Sequence, residues 1–159
     1  MAKIIFLDID GVLNAGCQDE PFVLPECAQR LNRIIQETGA RVVISSGWRN
    51  LVHSGEMTAK GFGRLLQTHK VCCQVLGVTA ERDGVLGRGK QIAAWLAANG
   101  PVESYIVLDD DDQGIREQRH PFVQTNGGIG LAEQDTMLAI KLLNRQETAA
   151  RLRGEEVSA

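Results

Sequence analysis

The sequence predicts a doubly wound α/β domain, a parallel sheet with helices on both faces. Three observations carry that prediction. The runs KIIFLDI (Lys3–Ile9), RVVISS (Arg41–Ser46) and SYIVLDD (Ser104–Asp110) are continuously apolar and too short for helices, the pattern of strands covered on both sides. Amphipathic segments of helical period separate them. The end of each of these three runs also carries polar residues, which places acids and hydroxyls at one edge of the sheet.

The elements follow in order. After the first strand, NAGCQDEPFVLPE reads as an irregular loop with two prolines. Pro25 opens a helix through Thr38, since proline suits a first turn. Cys27, Leu31 and Ile34/Ile35 share one face, and Gly39 stands where a C-cap belongs. RVVISS is the second strand. A helix over about Thr58–His69 is weakened by Gly61 and Gly63, and CQVLGV (Cys73–Val78) reads as a short strand. KQIAAWLAANG (Lys90–Gly100) is a helix with a glycine stop, in which Trp95 and Leu96 lie at helical spacing from Ile92 and belong to the core. SYIVLDD is a further strand and PFVQT (Pro121–Thr125) a short one. AEQDTMLAIKLLNRQ (Ala132–Gln146) closes a single domain expected over residues 1–147, with 148–159 a charged tail expected to fray.

A chain of 159 residues with 43% hydrophobic and 23% charged residues has the size and composition of one globular domain. Its longest apolar runs are strand-sized, and MAKIIFLDIDG meets charge too soon for a signal peptide. Cys17, Cys27, Cys72 and Cys73 form no CxxC pair, and the adjacent Cys72 and Cys73 are poor bridge partners, so reduced thiols in a cytoplasmic protein are expected. The net charge of −3 argues against a general nucleic-acid coat. Its distribution is uneven: residues 41–100 carry eight Lys/Arg against three Asp/Glu, while both flanks are acidic. That excess fits an ordinary solvated surface, and it also fits a face toward an anionic substrate.

In doubly wound sheets ligands bind beyond the carboxyl ends of the strands. Asp8 and Asp10 close the first strand, Ser45 and Ser46 the second, and Asp109 and Asp110 a later one. Convergent carboxylates in a cleft repel one another, and a hard divalent cation relieves that. Mg²⁺, with one or two carboxylates and a substrate phosphate oxygen, suits this set. Asp111 and Asp112 read as solvated loop acids.

FLDIDGVLN resembles the signature of the haloacid dehalogenase (HAD) superfamily of phosphohydrolases, whose first strand ends in two aspartates one residue apart. The other motifs stand in order: VVISSGWR offers Ser45 or Ser46, GRGKQIAAWL offers Lys90 or Arg88, and IVLDDDDQGI offers Asp109 and Asp110. The resemblance implies a Rossmann-like HAD core and a phosphatase. Asp8 would be the nucleophile and Asp10 the general acid and base. Ser45 and Lys90 would hold the phosphoryl oxygens, with Ser46 and Arg88 as their competitors. Mg²⁺ would bridge Asp8, the Asp10 carbonyl and Asp110, with Asp109 in support. Gly11 would let the chain turn beneath the phosphate. Trp48 and Arg49, just past the second strand, are core packing or a rim pair that stacks on a base and touches a phosphate.

The stretch from Asn14 to the first helix is too short for a helical cap, and the core elements consume most of residues 46–88. No large cap domain is expected, so the cleft should be open and suited to a phosphate on something large. The motifs most resemble the capless HAD domains of Swiss army knife RNA-repair proteins, and next the phosphatase part of polynucleotide kinase-phosphatases. That resemblance implies removal of terminal phosphates from nucleic acid, although no kinase or ligase domain and no P-loop are present. A phosphatase of small metabolites such as nucleotides is the alternative. A non-catalytic phosphate-binding domain or receiver-like switch fits less well, because a receiver carries its acidic pair on the first strand.

Overall fold

The structure, a computed structural model, describes residues 1–16, 21–80 and 87–152, with side chains to Arg145 in the final helix. Five strands form one wholly parallel sheet in the order β3-β2-β1-β4-β5: β1 (Lys3–Leu7), β2 (Arg41–Ile44), β3 (Val75–Val78), β4 (Ser104–Asp109) and β5 (Phe122–Gln124). Among them run α1 (Pro25–Thr38), a 3-10 turn (Gly47–Arg49), α2 (Asn50–His53), α3 (Ala59–Thr68), α4 (Arg88–Asn99) and α5 (Glu133–Leu152). This is the doubly wound α/β core the sequence predicts. The stretches outside the described residues within the core, 17–20 and 81–86, are far too short for a cap domain.

Side-chain alternation along the strands sorts the core into two layers. Ile5 and Leu7 of β1, Val42 and Ile44 of β2, and Ile106 and Leu108 of β4 face α1, α3 and α5. Ile4 and Phe6, Val43 and Val107 face α4, where Ile92, Trp95 and Leu96 cover them and Phe6 meets the Trp95 ring edge-on at 5.4 Å. Each such buried aliphatic side chain contributes roughly 1.5–3 kcal/mol. Helix α1 matches the sequence reading at both ends: Pro25 begins it, and Gly39, at φ 73°, ends it by returning its N–H to the Ile35 carbonyl. Helix α5 continues to Leu152, beyond the expected stop near Gln146. Residues 153–159 of the expected tail lie outside the described residues. No helix among the described residues is long and apolar enough to cross a membrane.

The chain moves outward through β1, β2 and β3 on one side, then returns through α4 to β4 and β5 on the other. The reversal falls between β1 and β4. In such sheets that gap opens a crevice at the carboxyl ends of the strands.

Candidate active site

Strand register sets the first row of the site. Leu7 pairs with Ile44 and Leu108, and Ile44 pairs with Val78. One more ladder bond follows each: Asp8 N–H donates to the Leu108 carbonyl, Ser45 N–H to Leu7 and Thr79 N–H to Ile44. Asp109, Asp8, Ser45 and Thr79 therefore stand side by side. Asp8, Ser45 and Asp109 come two residues after Phe6, Val43 and Val107, so they keep to the α4 face of the sheet.

Arg88, the first residue of α4, meets this row from above. Its Nη1 lies 2.5 Å from Asp109 Oδ2 and 3.5 Å from Asp8 Oδ2. The start of α4 is itself pinned, because Gly89 N–H donates to the Gln113 carbonyl and His120 Nε2 lies 2.7 Å from the Gly89 carbonyl. Asp109 is wholly buried, and its other oxygen accepts the Asp111 N–H at 3.0 Å. Asp110 completes an acidic trio: one oxygen from each of Asp8, Asp109 and Asp110 fits within 4.8 Å of the others. Two glycines make room for it. A Cβ at Gly11 would stand 2.3 Å from Asp110 Oδ2, and one at Gly127 2.6 Å, while Gly11 also holds φ +83°.

Among the described residues, three carboxylates face one guanidinium in this pocket. Burial first, and Asp109 second, push the Asp8 carboxyl up to about 8 against the pull of Arg88. Burial also raises Asp109, with Arg88 pulling it back. Burial works against the Arg88 charge, but Asp109 and Asp8 outweigh it and hold the guanidinium above its ordinary value. The donor set is three carboxylates, two of them buried and one half-buried, which fits a hard divalent cation. Among the described residues three buried side-chain atoms have no hydrogen-bond partner: Ser45 Oγ, Thr79 Oγ1 and Arg88 Nε. Two of these belong to groups flanking Asp8, a place where an oxyanion would satisfy them.

Asp10 stands apart from the trio. Its side chain is exposed and held at both oxygens, Oδ1 by Asn14 Nδ2 at 3.0 Å and Oδ2 by Trp48 Nε1 at 3.1 Å. Asn14 is buried and also accepts the Gly11 and Gly16 N–H groups, so it locks the turn that carries Asp10.

The two open choices separate in space. Ser45 keeps a partnerless hydroxyl beside Asp8, whereas Ser46 Oγ accepts the Trp48 N–H and caps the 3-10 turn. Arg88 reaches the carboxylates, whereas Lys90 is exposed two positions along α4, about 200° round a helix of 100° per residue. The expected rim pair is not a pair. Trp48 is 36% exposed, but Arg49 is buried, with its guanidinium donating to the carbonyls of Ala80, Ser45 and Ser46 and to Gln91 Oε1. A guanidinium so engaged ties the chain after β2 to the chain after β3 and to α4. Asn14, Gln91 and Thr125, whose hydroxyl donates to the Gly11 carbonyl at 2.7 Å, are supports the sequence reading missed.

The family described as the HAD domain in Swiss Army Knife RNA repair proteins matches residues 4–136. The chain belongs to this family. That span begins in β1 and ends in the first turn of α5, and so includes every residue of the site. No curated protein and no solved structure matches the chain. Membership in the HAD family carries a hydrolase role of the phosphatase type in general terms. The Asp8, Asp109 and Asp110 trio is able to hold the metal ion such a role employs.

Proposed function

We propose that the protein is a Mg²⁺-dependent phosphomonoesterase that works through an aspartyl-phosphate on Asp8. The observation that carries this is the division between two aspartates only two residues apart. Asp8 is buried within an acidic trio under Arg88, and Asp10 lies outside it with its carboxylate held toward the opening by neutral donors.

In the first step an Asp8 oxygen attacks phosphorus, the bond to the leaving oxygen breaks, and Asp10 gives that oxygen a proton. In the second, Asp10 takes a proton from water as the water oxygen attacks phosphorus. The bond to Asp8 breaks and inorganic phosphate leaves. Arg88 and Ser45 flank Asp8 and would hold the phosphoryl oxygens as their charge builds. When bound at Asp8, Asp109 and Asp110, with the Asp10 carbonyl as a further oxygen donor, Mg²⁺ supplies the positive charge that keeps Asp8 ionised. Lys90 and Ser46 have no contact with the reacting groups in this scheme.

The substrate is an exposed phosphate on a large molecule, nucleic-acid ends being the leading class. The absence of a cap domain, the exposed Trp48 beside Asp10, the basic excess in residues 41–100 and the RNA-repair setting of the family support this reading. Cys27, Cys72 and Cys73 are free thiols, in keeping with a cytoplasmic setting.

Phosphate release with and without Mg²⁺ tests the proposal, with wild type beside Asp8→Asn. The panel holds an aryl phosphate, mononucleotides, and oligonucleotides phosphorylated at either end. Metal-dependent release that vanishes in Asp8→Asn is expected, with oligonucleotide ends turned over best. Release unchanged in Asp8→Asn would sink the mechanism, and a preference for mononucleotides would move the substrate to small metabolites.

A further inference from the structure

Trp48 reaches Asp10 across the mouth of the site from a different element. Its backbone N–H is held by Ser46 Oγ at 3.3 Å, and its ring meets the edge of Phe22 at 5.0 Å between centroids. Its Nε1–H then donates to Asp10 Oδ2 at 3.1 Å, opposite the bond from Asn14 Nδ2 to Oδ1. The partner residues are themselves tied in, since Asn14 Nδ2 also donates to the Phe22 carbonyl at 3.1 Å.

Stability alone does not account for this bond. Both Asp10 and Trp48 are exposed, so water would serve each almost as well, and a bond of this kind adds little to folding. What it does fix is direction. A carboxylate on a free side chain rotates about its terminal torsion. Two donors, one at each oxygen and from two separate loops, stop that rotation. Neither donor competes for the transferred proton, because an indole N–H and an amide N–H only donate here.

We propose that Trp48 is a positioning residue, whose indole N–H orients the Asp10 carboxyl toward the oxygen of the departing group. This rests on the phosphatase reading above. The consequence is selective. A leaving group that departs as an alkoxide requires the proton from Asp10, whereas 4-nitrophenolate leaves without one. kcat/KM covers the steps up to departure of the leaving group, so it isolates this proton transfer from the later attack by water.

Trp48→Phe keeps the ring against Phe22 and removes the N–H. We expect its kcat/KM on a terminally phosphorylated oligonucleotide to fall about tenfold more than its kcat/KM on 4-nitrophenyl phosphate. In an Asp10→Asn background the same substitution should cost nothing further, because Trp48 acts through Asp10. Losses that are equal on the two substrates, or that persist undiminished beside Asp10→Asn, would overturn the proposal and assign Trp48 to packing or to base stacking. A wild type that releases phosphate from neither substrate would overturn the phosphatase reading, and this inference with it. A readout independent of turnover is the ¹⁵N-labelled indole N–H resonance that disappears in Trp48→Phe. Asp10→Asn should move it and leave the Trp95 resonance in place; an unmoved Trp48 resonance would also overturn the inference.

Discussion

At Arg88 a single guanidinium faces two buried carboxylates, and its neighbours along the helix face elsewhere. Arg88→Ala should lower kcat/KM by about a hundredfold or more, since it removes the cation against the transferring phosphoryl group and leaves Asp8 and Asp109 unopposed. Lys90→Ala should stay within about threefold of wild type in the same assay, as expected of an exposed surface lysine. Gly11 gives a second residue-scale test. Gly11→Ala forces a side chain into Asp110 Oδ2 at a φ of +83°, so it should destabilise the protein by about 1–3 kcal/mol and weaken Mg²⁺ binding. Thermal melts and calorimetric titration with Mg²⁺ would measure the two effects separately. Sequence spacing named Asp8, Asp10, Ser45, Asp109 and Asp110, but a pair of candidates two positions apart on one helix needs the helix phase to be told apart. The phase of α4 is set by where Gly89 seats against the loop at Gln113, which lies far away in the chain.

Among the elements, the segment after β2 was the least legible. The 3-10 turn Gly47–Arg49 and α2 are too short to leave a periodic signal, and Arg49 between them turns inward. Its guanidinium gathers the Ser45 and Ser46 carbonyls just past β2, the chain after β3 and the Gln91 side chain of α4. Arg49→Ala would leave those acceptors buried and unpaired. A loss of about 2–4 kcal/mol in urea unfolding is expected, together with reduced turnover on every substrate because Arg49 holds the Ser45 carbonyl and directly follows Trp48. By contrast, α1, α3 and α4 were legible nearly to their ends. Pro25, Gly39 and Gly100 punctuate the chain, and Thr58, which accepts the Gly61 N–H at 2.9 Å, caps α3 despite two glycines within that helix.

For the molecule as a whole, the buried acids tie folding to pH and to metal. Asp8 titrates near 8 in the folded protein and near 3.8 when unfolded. Between those values the folded state binds more protons, so the Asp8 contribution is fully present below about pH 3.8 and is lost as pH rises through 8. In a chelating buffer wild type should therefore lose thermal stability from pH 4 to pH 8, and Asp8→Asn should lose much less over that range. Mg²⁺ should raise the melting temperature, and raise it more at pH 8 than at pH 5, because it competes with protons for the same carboxylates. A Mg²⁺ effect independent of pH, or one undiminished in Asp8→Asn, would place the ion elsewhere.

Read from the residues alone, the chain declares its architecture and its chemistry. Apolar runs of strand length alternate with helical periods, and short-range rules suffice because each strand must be covered on both faces. The acids and hydroxyls closing those strands declare a shared site, since parallel strands deliver their carboxyl ends to one edge. Tertiary structure alone decided which of the neighbouring candidates meet. It set Arg88 against Asp8, turned Arg49 into the body of the protein, and brought the Trp48 indole to Asp10. Those contacts join residues tens of positions apart, and their geometry depends on strand register, helix phase and the packing of glycine against carboxylate. None of these leaves a local trace in the sequence.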